Sequence, residues 1–367
     1  MSAGHGGDVR SYAGGVRRPE PLPTLAQLRA LAAEHGIDHL GVTSADVLDR
    51  ARRTLHERKA AGLDAGMAFT YRNPDRSTDP QRTVAGARSI IVGARAYSTD
   101  DEPRRPDGPH ARVARYAWVD HYAPLRSGLQ AIAGRRKAAG ERAVAVADDN
   151  AMVDREVAHR AGLGWFGKNA NLLLPGAGSW FVLGSVITTA AYEPAATVVP
   201  DGCGSCRRCI DACPTGAIVA PGVIDANRCL AWVLQRPGTI PPELRPAVGN
   251  RIYGCDDCQE SCPPTVRLGR RHRVPLAPGA RAWVDVLDLL AADDATLLER
   301  HGHWYIAGRD PRWLRRNALV ALGNGADPHD RRVADTLARY RHGDDGVLAE
   351  HAEWASARLG LVTTTQS

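Results

Sequence analysis

The chain has 367 residues, enough for two or three domains. Its apolar content of 44% and charged content of 24% are ordinary for a globular protein. No apolar run reaches the ~20 residues that a membrane-spanning helix needs. The formal net charge is +6, and basic residues concentrate in stretches such as RLGRRHR (267–273) and GRDPRWLRRN (308–317). These stretches indicate either a polyanionic partner or a solvated arginine-rich surface.

The first 20 residues predict a disordered tail. They contain no apolar stretch between a basic start and a cleavage site, so they are unlike a signal peptide. We therefore expect a cytoplasmic protein that does not enter a membrane. In that compartment, closely spaced cysteines are more often metal ligands than disulfides.

Residues 21–197 alternate between apolar strand candidates and helical stretches. Strands are predicted at HLGVTS (39–44), SIIVGARAY (89–97), RAVAVAD (142–148) and SWFVLGSVITT (179–189), and helices at 25–36 and 123–140. This alternation predicts an N-terminal α/β domain with a central sheet, in a chain whose overall class is α+β.

All eight cysteines lie between positions 203 and 262. The first four form a CxxCxxCxxxCP run that ends at Pro214. In bacterial ferredoxins with this run, the fourth cysteine ligates the other of two clusters. Three more cysteines follow in YGCDDCQESCPP (253–264), and one remains between the motifs. The spacing predicts a ferredoxin-like domain with two [4Fe–4S] clusters, which we assign to residues 198–280.

The same crossing rule divides the thiolates between the two clusters, because the cysteine before Pro263 should also leave its own motif. One cluster is assigned Cys203, Cys206, Cys209 and Cys262, and the other Cys213, Cys229, Cys255 and Cys258. Two alternatives remain at this point, zinc sites and disulfides. Each has an argument against it: three cysteines at this spacing crowd a single tetrahedral zinc ion, and disulfides across two residues would close strained loops.

Residues 281–367 return to helical periodicity. The stretches LRRNALVALGN (314–324) and LAEHAEWASARLG (348–360) are both amphipathic and begin 34 residues apart. Such helix pairs are typical of HEAT repeats, and an ordinary helical bundle is the alternative.

The stretch GLGWFGKN (162–169) is rich in glycine. It predicts close approach of the backbone to a ligand, with Lys168 and Asn169 as donors. It is not a dinucleotide fingerprint, because that pattern follows a strand directly and opens a helix.

Taken together, the motifs resemble the epoxyqueuosine reductases, a family related to the reductive dehalogenases. The resemblance covers about Leu25 to Leu359, and its most specific parts are GNRIYGCDDCQ and the helical tail. The other matching segments are GMAFTYRNPDRSTDPQRTVAGARSIIVGARAY, RVARYAWVDHYAPLR, VDREVAHRAGLGWFGKN, GSWFVLGSVITT, CGSCRRCIDACPTGAI and LRRNALVALGN.

The resemblance implies an oxidoreductase that reduces epoxyqueuosine to queuosine in the anticodon stem-loop of tRNA. An external low-potential donor would supply electrons through two [4Fe–4S] clusters to cobalamin. It further implies that residues 21–197 bind cobalamin and that a HEAT-like region, residues 281–367, binds tRNA. A monomer is expected.

The family's proton donor is an aspartate that aligns with Asp148. A carboxyl group desolvated beside the corrin would stay protonated near neutral pH. The alternative is that Asp148, Asp149 or Asn150 merely caps the helix that follows.

Further site residues follow from the same resemblance. Beside Asp148, the expected cobalamin contacts are Arg72, Asn169, Asp256 and Asp257. The expected tRNA contacts are Arg236, Arg312, Arg315 and Arg316. For each of these, an ordinary turn or surface role is the alternative.

The chain departs from the family pattern near the expected pocket. It has VDHYAP (119–124) where the family has an RDYH-type stretch, and Pro264 where a tryptophan commonly follows the last cysteine-proline pair. These departures keep open a reductase of a small molecule, similar to a reductive dehalogenase. A non-enzymatic electron carrier is the third alternative.

Overall fold

The structure is a computed structural model that describes residues 20–99, 102–268 and 273–362. The tail predicted at 1–20 therefore lies outside the described residues except for Glu20, as does part of the basic stretch 267–273. Within the described ranges, no helix combines the length and apolar character needed to cross a membrane.

The strands, in chain order, are β1 (His39–Ser44), β2 (Ser89–Ala96), β3 (His110–Val113), β4 (Ala143–Ala147), β5 (Trp165–Phe166), β6 (Leu172–Leu173), β7 (Phe181–Thr188), β8 (Ile218–Ala220), β9 (Val223–Ile224), β10 (Arg251–Tyr253) and β11 (Trp283–Asp285).

The helices are α1 (Leu25–Glu34), α2 (Asp49–Ala60), α3 (Ala68–Tyr71), α4 (Pro74–Ser77), α5 (Tyr122–Ala138), α6 (Asp154–Arg160), α7 (Arg208–Asp211), α8 (Leu230–Val233), α9 (Arg245–Val248), α10 (Asp257–Glu260), α11 (Val286–Ala291), α12 (Asp294–His301), α13 (Arg312–Gly325), α14 (Arg331–Arg341) and α15 (Gly346–Arg358).

A four-stranded antiparallel sheet in the order β1-β2-β7-β4 forms the N-terminal part. Its strands are the four that the sequence predicted, and the helices predicted at 25–36 and 123–140 are α1 and α5. Neighbouring residues of β2 enter different cores, Ile90 on one face and Ile91 on the other. Helices α1 and α5 cover one face, and α2 and α6 cover the other. The sheet is thus buried on both sides.

A second, three-stranded sheet joins the three segments that the sequence predicted as domains. Strand β3, from the first segment, pairs in parallel with β10 of the second and antiparallel with β11 of the third. The apolar core beneath this sheet contains Val113, Ile252 and Val284 together with residues of α13 and α15. The predicted boundaries therefore separate strands that share one sheet.

Candidate functional site

Asp148 is the first residue after β4 and has a left-handed backbone, with φ at 53°. Aspartate tolerates this conformation better than most residues. The carboxylate of Asp149 accepts a hydrogen bond from the backbone nitrogen of Ala151 at 2.7 Å, which closes a tight turn. The N-cap of α6 is Val153. Asp148, Asp149 and Asn150 are therefore not helix caps.

Asp148 is exposed by its surface area, but protein surrounds much of its carboxylate. We call the space around this carboxylate the recess. This partial burial raises its pKa; the Arg126 charge opposes the shift, and Asp120 and Asp149 reinforce it. The pKa of Asp154 is raised well above its usual value by burial and then by repulsion from Asp148. The recess thus favours protonated carboxyl groups.

Four tyrosines that the sequence analysis did not select lie close to these carboxyl groups or to one another. The charges of Asp148 and Asp154 act on Tyr122, and that of Asp148 acts on Tyr253. Tyr97 and Tyr116 interact in turn with Tyr122. Burial is the first cause of the raised pKa of all four phenols, so each stays a neutral hydroxyl. Tyr122 and Tyr253 lie in VDHY (119–122) and RIYGCDDC (251–258), two stretches that the sequence analysis examined for other reasons.

The first predicted group of cysteines lines a single cavity of about 150 Å³ between α7 and the residues after α10. Burial, then the neighbouring thiols, raises the pKa of Cys209 to about 11. The neighbouring thiols raise this pKa because thiolates repel one another. A cationic iron–sulfur core would offset that repulsion, bind the sulfurs as thiolates and release their protons. The cysteines of this cavity are Cys203, Cys206, Cys209 and Cys262.

The second predicted group is also brought together. Cys255 and Cys258 interact electrostatically with Cys229, and Cys229 interacts with Cys213. The Arg155 charge acts on Cys229 and also on Tyr122 and Asp154. The second group therefore adjoins the recess that contains Asp148.

Two observations bear on the zinc and disulfide alternatives. All eight cysteines are free. In the described part of the chain, no three His, Cys, Asp or Glu side chains converge closely enough to hold one metal ion. A four-iron cluster spreads its thiolates further apart than one zinc ion does, so four cysteines around one cavity of about 150 Å³ suit a cluster.

Trp165 provides an independent test of whether a cluster fits the first cavity. This residue is 7% exposed and packs with Cys203 and Cys262. Its indole nitrogen is buried and has no hydrogen-bond partner among the described residues. Buried N–H groups are rarely left unpaired, and the sulfurs of iron–sulfur clusters accept hydrogen bonds. The unpaired donor fits a cluster in this cavity.

The glycines of GLGWFGKN pack against protein, which corrects our expectation that they admit a ligand. A Cβ at Gly164 would lie 2.2 Å from the carbonyl oxygen of Leu173, and one at Gly167 would lie 2.6 Å from the Leu173 side chain. Both glycines are needed for the tight β5–β6 hairpin.

Lys168 and Asn169 hold the cysteine loops. The Lys168 ammonium donates to the carbonyl of Gly204 at 2.6 Å, and the buried Asn169 amide donates to the carbonyl of Cys258 at 3.2 Å. Asn169 also lines the first cysteine cavity. Its expected contact with cobalamin stays a prediction.

The two aspartates between Cys255 and Cys258 have partners within the protein. Asp256 is buried and accepts a hydrogen bond from the backbone nitrogen of Arg115 at 2.7 Å, and Asp257 forms an ion pair with Arg251 at 2.6 Å. The Asp256 charge acts on Tyr97 and Tyr116, so this loop adjoins the recess. Contacts of these aspartates with cobalamin also remain predictions.

Arg72 follows α3 and lines a cavity of about 280 Å³ that includes Phe69 and Asn150. Asn150 belongs to the loop that begins at Asp148. Arg72 is exposed, and its guanidinium has no hydrogen bond or ion pair to a described residue.

The prediction that Arg316 contacts tRNA at the protein surface is wrong. It has no exposed surface, and its guanidinium donates to four backbone carbonyls within residues 233–238. Burial lowers its pKa to about 9. A side chain enclosed in this way cannot reach RNA in this fold.

The other three arginines differ in accessibility. Arg312 has a 45% exposed side chain and pairs with Asp345 at 3.0 Å, whereas Arg315 is only 14% exposed and pairs with Asp294 at 2.5 Å. Arg236 lines a groove of about 590 Å³ with Arg228 and Glu243. The Arg236 guanidinium has no partner among the described residues, which leaves it available to an anion.

Comparison with known proteins identifies the family. The chain is 36% identical over 364 residues to the epoxyqueuosine reductase of Xanthomonas campestris pv. campestris, with 94% of this chain and 99% of that protein covered. It is 32% identical to the Bacillus subtilis epoxyqueuosine reductase, over 91% of this chain and 87% of that protein. The chain belongs to the epoxyqueuosine reductase family.

Two family models match the parts of the chain that carry the candidate site. The model described as "Epoxyqueuosine reductase QueG, DUF1730" matches residues 77–154, which include Asp148. The 4Fe-4S double cluster binding domain matches residues 202–265, which include all eight cysteines. The chain is thus an oxidoreductase of mixed α/β structure with a double-cluster domain.

Solved epoxyqueuosine reductases have the same fold over most of their length. A crystal structure with an epoxyqueuosine-modified tRNA-Tyr stem loop matches with a TM-score of 0.83 at 31% identity, covering 91% of this chain and 90% of that chain. The Streptococcus thermophilus structure matches with a TM-score of 0.82 at 29% identity, covering 93% and 91%. A Bacillus subtilis structure, with a TM-score of 0.82 and 31% identity over 91% and 90%, has its aspartate catalytic loop swung out of the active site.

Proposed function

We propose that this protein reduces epoxyqueuosine to queuosine in the anticodon loop of tRNA. The observation that carries the proposal is the recess in which Asp148 adjoins the second cysteine group, in a chain that belongs to this family. The reaction removes the epoxide oxygen as water and therefore consumes two electrons and two protons. The reaction therefore needs electrons and a protonated acid at one place. In the recess, Asp148 is the acid, and the second cysteine group lies next to it.

The cofactors are two [4Fe–4S] clusters and cobalamin. Cys203, Cys206, Cys209 and Cys262 hold the first cluster, and the second group of four cysteines holds the other. When bound, these groups supply single-electron transfer and a strongly reducing centre next to the substrate. Cobalamin would be held at the recess by residues of the sheet part at 21–197 and of the cluster domain at 198–280. The residues that would hold it are Arg72, Asp148, Asn169 and the loop of Asp256 and Asp257.

Asp148 is the proton donor. Partial burial raises the pKa of this carboxyl, and the neighbouring Asp149 charge adds to the shift. Its turn is held by Asp149 rather than by a helix cap, so the side chain is free to point into the recess. The aspartate catalytic loop of the Bacillus subtilis enzyme supports this role.

The cluster held by the first cysteine group would be the one that accepts electrons from the donor. Cys206 is exposed, whereas the second group lies beside the recess. An external low-potential donor in the cytoplasm can therefore approach the first cluster. Gly204, next to this group, has open space around it, which permits close approach of a partner. The protein acts as a monomer.

The tRNA lies across the helical tail at 281–367, which is HEAT-like, and across the groove beside the cluster domain. Arg236 and Arg228 in the groove and Arg312 on α13 contact phosphates. Arg315 is mostly buried but lies at the edge of the same surface. These contacts set the position of the anticodon loop, while the modified base enters the recess.

The test is conversion of a defined substrate. Protein reconstituted anaerobically with iron, sulfide and hydroxocobalamin is incubated with an epoxyqueuosine stem-loop and a chemical reductant, and the nucleosides are analysed by LC-MS. We expect queuosine only when cobalamin is present. Cobalamin uptake without conversion would contradict the proposal and favour a small-molecule substrate. Absence of cobalamin uptake would favour an electron carrier.

A further inference from the structure

The mouth of the first cysteine cavity lies at the protein surface. Cys206 is exposed, and it lines this cavity together with Pro264. Helix α7 follows Cys206 along the chain, and the helical turn Pro264–Leu268 continues from the proline. Helix α10 packs against both α7 and this turn. The segments that follow Cys206 and Pro264 therefore lie close together at the mouth of the cavity.

Arg208 and Arg267, one on each of these segments, carry charges that no described residue neutralises. Both residues are exposed, and neither guanidinium has a hydrogen bond or an ion pair to a described residue. Their neighbour Arg207, by contrast, pairs with Asp211 at 3.8 Å. The two unpaired guanidinium groups are available to carboxylates of another molecule, which the planar arginine fork binds well.

The whole mouth of the cavity carries an excess of positive charge. Segments 198–212 and 263–267 contain three arginines and two aspartates, and Lys168 also lines the cavity. Both aspartates already interact with groups in the first of these segments. An excess of positive charge attracts acidic partners from a distance and speeds their association.

Two exposed valines lie among these charges. Val198 is 50% exposed, and Val266 is 37% exposed. Val198 adjoins Val199, which packs with Trp165 beside the cavity. Val266 is part of the helical turn that carries one of the free arginines. Apolar side chains within a rim of charged groups are typical of protein–protein interfaces.

The composition of this surface favours a protein partner over a nucleic acid. Segments 198–212 and 263–267 contain no aromatic residue. Proteins that bind single-stranded RNA usually stack its bases on aromatic side chains. Valines and prolines beside two free guanidinium groups instead suit the surface of an acidic protein.

We call the surface formed by Val198, Cys206, Arg208, Val266 and Arg267 the Cys206 face. We propose that this face binds a small acidic protein that carries single electrons at low potential. The inference rests on the proposed function, in which the first cluster would accept electrons from a donor. Each encounter would oxidise the carrier by one electron and reduce the cluster by one, so one epoxide requires two encounters. Weak redox complexes of this kind bury little surface and depend on charge for fast association.

The experiment measures electron delivery to protein that holds both clusters and cobalamin. One reductant is a photoreduced acidic ferredoxin, and the other is reduced methyl viologen, a small cation that needs no docking surface. The variants are Arg208→Gln/Arg267→Gln and Val198→Glu, which places a negative charge on the face outside the cysteine motifs. The matched control is Arg29→Gln/Arg135→Gln on α1 and α5, which removes two exposed charges that do not line the cavity. Iron and sulfide analysis verifies that each variant holds its clusters.

We expect both face variants to lower the second-order rate of cluster reduction by ferredoxin about tenfold at low salt, because each weakens attraction to an acidic partner. At about 1 M salt, where charges are screened beyond about 3 Å, the double variant should approach the wild-type rate. Reduction by methyl viologen should not slow in any variant. The control should match the wild type with both reductants.

The assignment is overturned if ferredoxin reduces the face variants as fast as the wild type, or if it does not reduce the wild type at all. It is also overturned if the same variants weaken binding of a labelled anticodon stem-loop about tenfold, because the face would then belong to the tRNA surface. The proposed function fails by a different result, in which methyl viologen reduces the clusters but epoxyqueuosine in the stem-loop is not converted.

Discussion

The buried guanidinium of Arg316 donates a hydrogen bond to the backbone carbonyl of Arg236 at 2.8 Å, across 80 positions of sequence. The same group also reaches the carbonyls of Val233, Leu234 and Gly238. Arg316 thus fixes the turn after α8 from inside the protein, and the side chain of Arg236 lines the groove on its outer side. The sequence analysis predicted both arginines as tRNA contacts. In the structure Arg316 lies inside the protein, whereas Arg236 lines a groove at its surface.

Replacing Arg316 by methionine should destabilise the fold. Methionine fills similar space but leaves several buried carbonyls unpaired, so we expect the free energy of unfolding to fall by about 3 kcal/mol or more. Urea denaturation measures this change. The control is Arg312→Met on the same helix, where loss of exposed ion pairs should cost no more than about 1 kcal/mol. Equal stability of the two variants would contradict the role assigned to the carbonyl contacts.

The two arginines also illustrate what the sequence could predict. The helix from 312 to 325 follows from its apolar spacing, and that spacing places Arg312, Arg315 and Arg316 close together on its surface. Whether such a surface faces water depends on what packs against it. Here the covering segment is 233–238, far away in sequence, and nothing in the helix itself indicates that contact.

The candidate site also has a part that could be predicted from the sequence and a part that could not. Ligand spacing allowed a prediction of how the cysteines are grouped. The structure places the first predicted set around one cavity, and members of the second set interact electrostatically, while the division of thiolates between two clusters stays a prediction. The tyrosines of the recess were not predictable, because Tyr122 and Tyr253 become neighbours of Asp148 only through the packing of separate segments. Strand β3 pairs with two strands of three residues each, which are too short for their pairing to be read from sequence.

The division of the thiolates can be tested by removing cysteines in pairs. Cys209→Ala/Cys262→Ala removes two ligands of one proposed cluster, so reconstituted protein should keep about four irons per chain. Cys209→Ala/Cys213→Ala removes one ligand from each cluster and should leave far less iron, although both changes lie in one sequence motif. Iron and sulfide analysis measures the difference. The reverse pattern would mean that each motif holds its own cluster.

Trp165→Phe should make the first cluster harder to reduce. The indole N–H has no partner among the described residues and packs beside Cys203 and Cys262. A hydrogen bond of about 1 kcal/mol that favours the reduced cluster corresponds to about 40 mV for a one-electron couple. We therefore expect a shift of about 40 mV to more negative potential in an EPR-monitored titration. Trp313→Phe, whose indole donates to Ala307, is the control and should leave both potentials unchanged.

Asp148→Asn should retain the cofactors and lose most of its turnover. Asparagine has nearly the same size but cannot release a proton, and general acids typically contribute about 10²- to 10⁴-fold to a rate. We expect kcat to fall within this range, while the visible spectrum of bound clusters and cobalamin stays that of the wild type. Turnover at the wild-type rate would exclude Asp148 as the proton donor.

The pH profile offers a finer test, because the neighbours of Asp148 shift its pKa in opposite directions. The acid is active when protonated, so kcat should fall as the pH rises through the raised pKa of this carboxyl. Arg126→Gln removes the cation that lowers this pKa and also leaves Asp120 unpaired, so the alkaline limb should move to higher pH. Asp149→Asn removes a negative charge but keeps the oxygen that accepts from Ala151, so the limb should move to lower pH. The profile of kcat against pH, measured on all three proteins with saturating substrate, checks both directions. Identical limbs would mean that a different group supplies the proton.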